Sequence, residues 1–329
     1  MKKILTTALV VLACIVHIEA DTQYKKRADF HAPINIMGDH THSKKEIMTS
    51  YRFMSMFMHG NREGQSQKTV SDIHNAGFMK APVDMTMNMH MLGVMYAPSN
   101  SLTLMSMIHV KKNTMNIDKK MMGKITRESK STSGFGDIGI SALYDIKNTK
   151  HYSIIGKAGL SLPVGSINEK DGGTTRLPYA MQLGSGTLDI PLSITYTRFY
   201  ATFSSGVQAN SILRTGRNAH RYRLGNHYNI TAWIAKNLRK NLSLSARIHA
   251  SISDDIEGSD SDINTMIAMS PTASTNTGRK TTDCSVGFNY IFKTGTRIAS
   301  ELTIPLIRQV DGYQLETDWQ STLGVQHAF

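Results

Sequence analysis

From Tyr51 onward, apolar and polar residues alternate with a period of two in segments of about 8–15 residues, the mark of strands with two unlike faces. In Asn241–Ile252, Leu242, Leu244, Ala246, Ile248, Ala250 and Ile252 share one face, and Ser243, Ser245, Arg247, His249 and Ser251 the other. In 183–196, Leu188, Ile190, Leu192, Ile194 and Tyr196 oppose Thr187, Asp189, Ser193 and Thr195. Twelve such segments are read: 51–58, 85–97, 102–110, 137–147, 152–163, 186–197, 199–213, 223–237, 241–252, 283–292, 297–307 and 319–329.

The connections alternate in length. Those at 59–84, 111–136, 164–185 and 253–282 are long, those at 214–222 and 308–318 intermediate, and those at 98–101, 148–151, 198, 238–240 and 293–296 short. The short ones carry turn chemistry, as in Pro98-Ser99-Asn100-Ser101 and Lys293-Thr294-Gly295-Thr296. This rhythm predicts an all-β fold: an antiparallel transmembrane β-barrel of about twelve strands, with short periplasmic turns and long external loops. Closure answers the demand that no backbone group stay unpaired in hydrocarbon. Twelve strands enclose a lumen wider than that of an eight-stranded barrel and narrower than that of a 16-stranded porin. A secreted β-sandwich would also alternate, but it predicts neither the loop rhythm nor the terminal Phe329, an aromatic end of the kind that barrel-insertion machinery reads.

The N-terminus changes the compartment. Lys2 and Lys3 precede the apolar run 4–18, which ends at Ile18-Glu19-Ala20 before polar Asp21-Thr22-Gln23. This predicts a secretory signal peptide over 1–20, a periplasmic segment over 21–50 and a barrel over 51–329, in the outer membrane of a bacterial cell. Val11-Leu12-Ala13-Cys14 is a weaker lipoprotein-like box. Cleavage after Ala20 removes two lysines and one glutamate, so the formal charge goes from +12 to +11 (12 − 2 + 1). It also leaves Cys284 without an internal partner for a disulfide.

Composition adds one anomaly: of 20 methionines, 16 lie between Met37 and Met122. In 51–58, Tyr51, Phe53 and Phe57 oppose Arg52, Met54, Met56 and Met58; in 102–110, Leu102, Leu104, Ile108 and Val110 oppose Thr103, Met105, Met107 and His109. A charged Arg52 facing lipid at mid-depth would cost roughly 2–4 kcal/mol. Arg52, Met54, Met56, Met58, Met105, Met107 and His109 are therefore expected to line the lumen and a solute's path. Met85, Met87, Met89 and Met91 form a further row whose side the pattern leaves open, because the upper end of 85–97 is expected to project beyond the bilayer. Thioethers near imidazoles suit copper or silver ions. Met87, Met89 and Met91 with His40 and His42 of Asp39-His40-Thr41-His42 are the candidate ligands, against the plainer reading of methionine as apolar filler. No other cofactor is expected.

Basic residues cluster on two expected external loops. Lys119, Lys120 and Lys124, with Arg217 and Arg221, would face lipopolysaccharide phosphates; nucleic acid is not an expected partner of an exported chain without a recognition fold. Asp254, Asp255, Glu257, Asp260 and Asp262 crowd the loop 253–282, and Asp260-Ser261-Asp262-Ile263-Asn264 begins like a calcium loop, but Thr265 and Pro271 stand where glycine and the bidentate glutamate belong, so a solvated acidic loop is expected. His249 and Ser251 put an imidazole and a hydroxyl on one strand. Their shared face with Arg247 makes a polar lumen wall the expected reading and a lipid hydrolase a distant one, so no enzymatic activity is expected.

Several stretches resemble a known family. Gly38-Asp39-His40-Thr41-His42 through Ser50-Tyr51-Arg52-Phe53-Met54, Ala81-Pro82-Val83-Asp84-Met85-Thr86-Met87, His90-Met91-Leu92-Gly93, Met95-Tyr96-Ala97-Pro98 and Leu102-Thr103-Leu104-Met105 resemble outer-membrane barrels of the meta-pathway phenol-degradation type. Gly134-Phe135-Gly136-Asp137-Ile138, 178–187 and Leu315-Glu316-Thr317-Asp318-Trp319 continue the likeness, which runs from about Gly38 to Phe329. Lys44-Lys45 departs from it, since relatives tend to carry Lys-Gly. The resemblance implies an outer-membrane transporter for small solutes, hydrophobic or aromatic ones among them, and transfers no binding residues.

Overall fold

The computed structural model describes residues 27–173, 175–263 and 277–329. The expected signal peptide and the rest of the calcium-like loop lie outside the described residues. The strands are β1 (Ile47–Gly64), β2 (Ser66–Lys68), β3 (Lys80–Tyr96), β4 (Leu102–Met121), β5 (Lys124–Phe135), β6 (Ile138–Asn148), β7 (Tyr152–Leu162), β8 (Asp189–Phe199), β9 (Phe203–Arg214), β10 (His227–Arg239), β11 (Leu242–Ser253), β12 (Arg279–Ile291) and β13 (Arg297–Ala328). A short helix, α1 (Val70–Asn75), sits between β2 and β3 behind a capping box of Thr69 and Asp72.

Eleven elements form a ring, β1-β3-β4-β6-β7-β8-β9-β10-β11-β12-β13, closed by pairing of β13 with β1; β2 and β5 stand outside it. A ring whose neighbours are all antiparallel needs an even number of crossings, and β13 supplies the missing one. Its 32 residues would extend on the order of 100 Å, far beyond a bilayer core of about 30 Å. Residues from Arg297 to Val310 run along β12, and the return to Ala328 runs along β1. The reversal falls at Gly312, whose φ of 66° favours glycine. Arg297 meets Gln326, and Arg308 meets Glu316, across this hairpin. The barrel thus has twelve crossings, each matching one of the alternating segments.

Two local features differ from expectation. The stretch 111–136, read as a loop, is a β-hairpin in which β4 runs on to Met121 and β5 returns, turning at Met122 (φ 49°) and Gly123 (φ 77°). Its outward row, Lys112, Thr114, Asn116, Asp118 and Lys120, is polar, and this hid the alternation of a ribbon standing above the lipid. Lys45 holds a left-handed φ of 72°, a conformation that favours the glycine which the resemblance leads one to expect there.

Faces follow the pleat. Leu92, Val94, Leu104, Ile108, Ile230, Ile248, Leu302 and Leu323 are exposed on the outside, as a lipid-facing belt requires. Tyr96, Tyr200, Phe292 and Phe329 ring the short-turn end, the place of an interfacial aromatic girdle. Trp319 pairs with Phe57 on this outer face, whereas Trp233 is buried inside. Brominated lipids are therefore expected to quench the protein's fluorescence through Trp319 alone. Trp319→Phe should abolish that quenching and Trp233→Phe should leave it, as measured in reconstituted vesicles.

The occluded lumen as candidate functional site

The N-terminal segment, expected to stand in the periplasm, instead crosses the lumen near the short-turn end. Its backbone carries polar groups that an apolar lumen could not satisfy, and the inward faces of the strands supply partners one by one. Ala28 donates to the Lys240 carbonyl and Ser204 to that of Asp29. Arg297 donates to the Ala32 carbonyl at 2.7 Å, Arg52 to that of Ile34 at 2.9 Å, and Gln208 to that of Met37 at 3.0 Å. Thr41 donates to Asp145 at 2.7 Å, and the His42 amide to Thr103 at 3.0 Å. Arg52 does face the lumen, but there it clamps the segment.

Apolar anchors fill the remainder. Ala32 and Ile36 pack on Trp233, and the indole lies so close to Gly206 that a Cβ there would stand 2.2 Å from it. Ile34 sits over Gly324, and Phe30 stacks on Phe199 with centroids 5.1 Å apart. Asn35 donates to Glu301 at 3.0 Å, the same carboxylate that receives Arg247. Glu301 is 1% exposed and Arg247 8%, so the pair is held out of bulk water.

The methionine rows all point inward. Met54, Met56 and Met58 stand opposite Met89, Met87 and Met85, and Met91 stands opposite Arg52; directly paired residues of an antiparallel ladder share a face. Met107 and Met105 stand opposite Gly93 and Met95. Two packed groups result. Met48, Met95 and Met105 join Leu143 and Ile155 beside Met37 of the segment. Met58, Met85 and Met115 are met from above by Leu177 and Met181 of the loop 163–188. His109 packs on Gly136, where a Cβ would stand 1.8 Å from its Nε2.

Between the segment and the outer loops lies a cavity of about 370 Å³, lined by Met56 and Leu315, by Arg62, Arg279, Arg308, His227 and His249, and by Asp283 and Glu316. Arg62 and Arg308 share Glu316, and Arg279 donates to Gln314. His249 faces Asp283 at 3.4 Å, while the Ser251 hydroxyl pairs with Thr281, so His249 and Ser251 are not joined as a catalytic pair. Above, Arg176 ties loop 163–188 to Asp260 and Asp262, so these carboxylates serve an ion-pair cluster. Lys119 is engaged by Glu128; Lys124, Arg217 and Arg221 are exposed on the outer surface, and Lys120 is half-exposed.

Below the segment opens a vestibule of about 1070 Å³ lined by His31, His40, His42, Lys240, Arg297 and His327. The rings of His40 and His42 are 5.0 Å apart and those of His31 and His40 4.7 Å. Met87, Met89 and Met91 are not brought to these histidines. The methionines that share a small void with His40 are Met37, Met48, Met95, Met105 and Met107. His31 escaped the sequence reading because nothing in its spacing links it to His40. The link is the Asp39 carboxylate accepting from the Ala32 amide at 2.9 Å, which folds the segment back on itself. Burial, followed by the Arg297 charge, pushes the His31 imidazole down, and burial with His40 lowers His42 to about 4. Burial opposes ionisation of Asp39, but His40 beside it holds the carboxyl below its usual range.

Residues 99–264, half of the chain, match the family described as "Putative MetA-pathway of phenol degradation". The chain belongs to this family. Among solved structures it is similar to an outer membrane channel from Pseudomonas putida F1, at 14% identity and a TM-score of 0.62, covering 88% of this chain and 97% of that one. It is also similar to the β domain of the Bordetella autotransporter BrkA, at 11% identity and a TM-score of 0.48, covering 87% and 100%. No curated protein matches the chain. In this MetA-pathway family member, the fold is thus that of an outer-membrane barrel.

Removing Glu301 leaves Arg247 buried without its counter-charge and Asn35 without an acceptor. Glu301→Ala is expected to cost about 3–5 kcal/mol, read as a lowered urea midpoint of the detergent-folded barrel, with the outward Leu302→Ala as the milder control.

Proposed function

We propose that this MetA-pathway family barrel is a narrow, non-enzymatic channel for small solutes that carry an aromatic or otherwise apolar body and an anionic group. The observation that carries the reading is the cavity above the N-terminal segment, where Met56 and Leu315 share the lining with Arg62, Arg279 and Arg308, which outnumber the carboxylates of Asp283 and Glu316. An apolar body gains contact with the soft, adaptable methionines, while a carboxylate or phenolate meets guanidinium donors matched to it. The family's link to phenol degradation fits such a cargo. The N-terminal segment sets the aperture, since it fills the periplasmic half of the lumen and is held there by polar contacts that water can replace.

The outward Lys124, Arg217 and Arg221 are proposed to hold lipopolysaccharide phosphates, and the strand ending in Phe329 to engage the barrel-insertion machinery. A soft-metal ladder of Met87, Met89 and Met91 with His40 and His42 finds less support, because these methionines stand opposite Met56, Met54 and Arg52 on β1 and do not line the vestibule of the two histidines.

Two measurements on reconstituted protein test the reading. In planar bilayers, deleting residues 27–38 is expected to raise single-channel conductance severalfold; unchanged conductance would remove the segment as the constriction. In a vesicle influx assay, benzoate should enter faster than benzylammonium, and Arg279→Gln with Arg308→Gln should erase the difference. Equal entry into wild-type vesicles would sink the proposed solute class.

A further inference from the structure

The vestibule histidines have no part in the solute path above the segment, yet three imidazoles converge there with unspent nitrogens. Asp39, His40 and His31 present ligand atoms within 4.8 Å of one another. His40 and His42 are each 6% exposed. The Nδ1 of His31, the Nε2 of His40 and the Nε2 of His42 are buried and receive no hydrogen bond. A buried polar atom without a partner is costly, and these three on neighbouring rings call for a common occupant.

The carboxylates show which nitrogens are available. Asp39 Oδ1 lies 2.9 Å from His40 Nδ1, and Asp39 Oδ2 accepts from the Ala32 amide. Glu46 Oε1 lies 3.0 Å from His42 Nδ1, and Glu46 Oε2 accepts from the Ser43 amide. An ionised carboxylate can only accept, so each of these two imidazoles carries its proton on Nδ1 and leaves the lone pair of Nε2 unengaged. A carboxylate behind the far nitrogen is the usual support of a metal-bound histidine. Arg297 stands nearby, but Asn289, Gln326 and the Ala32 carbonyl hold its guanidinium, and the two carboxylates offset its charge.

We propose that His31 and His40, joined by His42 at a ring separation of 5.0 Å from His40, form a binding site for a divalent first-row transition ion, with Asp39 and Glu46 as positioning residues. Imidazole nitrogen suits zinc, copper(II) and nickel, and the vestibule gives an ion entry from the short-turn end. Bound there, the ion joins the first stretch of the segment to the last and fastens the loop that Asp39 already closes. The ligands come from the N-terminal segment itself, so the site stands apart from the solute reading.

The test uses tag-free, detergent-folded full chain stripped with chelator and titrated calorimetrically with zinc chloride and, separately, copper(II) chloride. One ion per chain is expected. His40→Gln and His42→Gln should each abolish or severely weaken binding, and Asp39→Asn should weaken it by about 10–100-fold. His220→Gln, on an outer loop, should change nothing. Folding of every variant is checked by the mobility difference between unheated and boiled samples. If His40→Gln fails that check, the copper(II) electron paramagnetic resonance spectrum of wild type decides, and couplings from imidazole nitrogens are expected. Wild type that binds neither ion at high micromolar concentration, a folded His40→Gln that binds as tightly, or a spectrum with oxygen ligands alone would each overturn the site.

Discussion

Every feature of the molecule depends on the absence of a free sheet edge. A strand edge in hydrocarbon strands its N–H and C=O groups at several kcal/mol each, so the sheet must return to its starting strand. It does so by register: Met48 meets Ala328 and Phe57 meets Trp319 along β1 and β13. Closure fixes the parity of the strands, and parity demands that β13 fold back at Gly312. Closure also separates two surfaces that the period-two pattern had to distinguish, an apolar one for lipid and a mixed one for the interior.

The interior poses the opposite problem. A twelve-crossing lumen is too wide for wall side chains alone to fill, and two fillings share the task. On the β1–β3–β4 side, methionines pack into apolar groups. Near the short-turn end, a stretch of the chain itself enters, and the polar residues of the wall satisfy its backbone. Arg52, Gln208 and Arg297 would be hard to explain as lining for open water, but each ends on a carbonyl of the segment. The result is a lumen with a cationic and apolar chamber above and a histidine-lined vestibule below.

The barrel was legible because alternation and turn chemistry are local. In Leu242–Ser253 the pleat sorts leucines and isoleucines from serines and Arg247 without knowledge of any partner. The β4–β5 ribbon was not legible, since above the lipid its outward face is as polar as a loop. The inward side of Met54–Met58 could be read from Arg52, because a lipid-facing charge is costly. The row Met85–Met91 carries no such marker on its own strand, and only its register against β1 settles its side. The entry of residues 28–46 into the lumen was illegible for a stronger reason. Ala32-Pro33-Ile34-Asn35-Ile36 has no periodicity, and its partners Ser204, Gln208, Trp233, Arg297 and Glu301 lie far along the chain. His31 stayed hidden in the same way, joined to His40 only by the turn that Asp39 makes.

Residence of the N-terminal segment inside the closed barrel can be read from a cross-link. The Cδ1 of Ile34 lies 2.6 Å from the point where a Cβ on Gly324 would stand, so thiols at the two positions are within reach of a short bis-methanethiosulfonate cross-linker. In a chain with Cys284→Ser, the pair Ile34→Cys and Gly324→Cys should be joined by this reagent in intact outer membranes, and reduction should restore accessibility to a small thiol reagent. Two cysteines that never cross-link, with the one at position 34 freely modified from the periplasmic side by a bulky reagent, would place the segment outside the lumen and contradict the account.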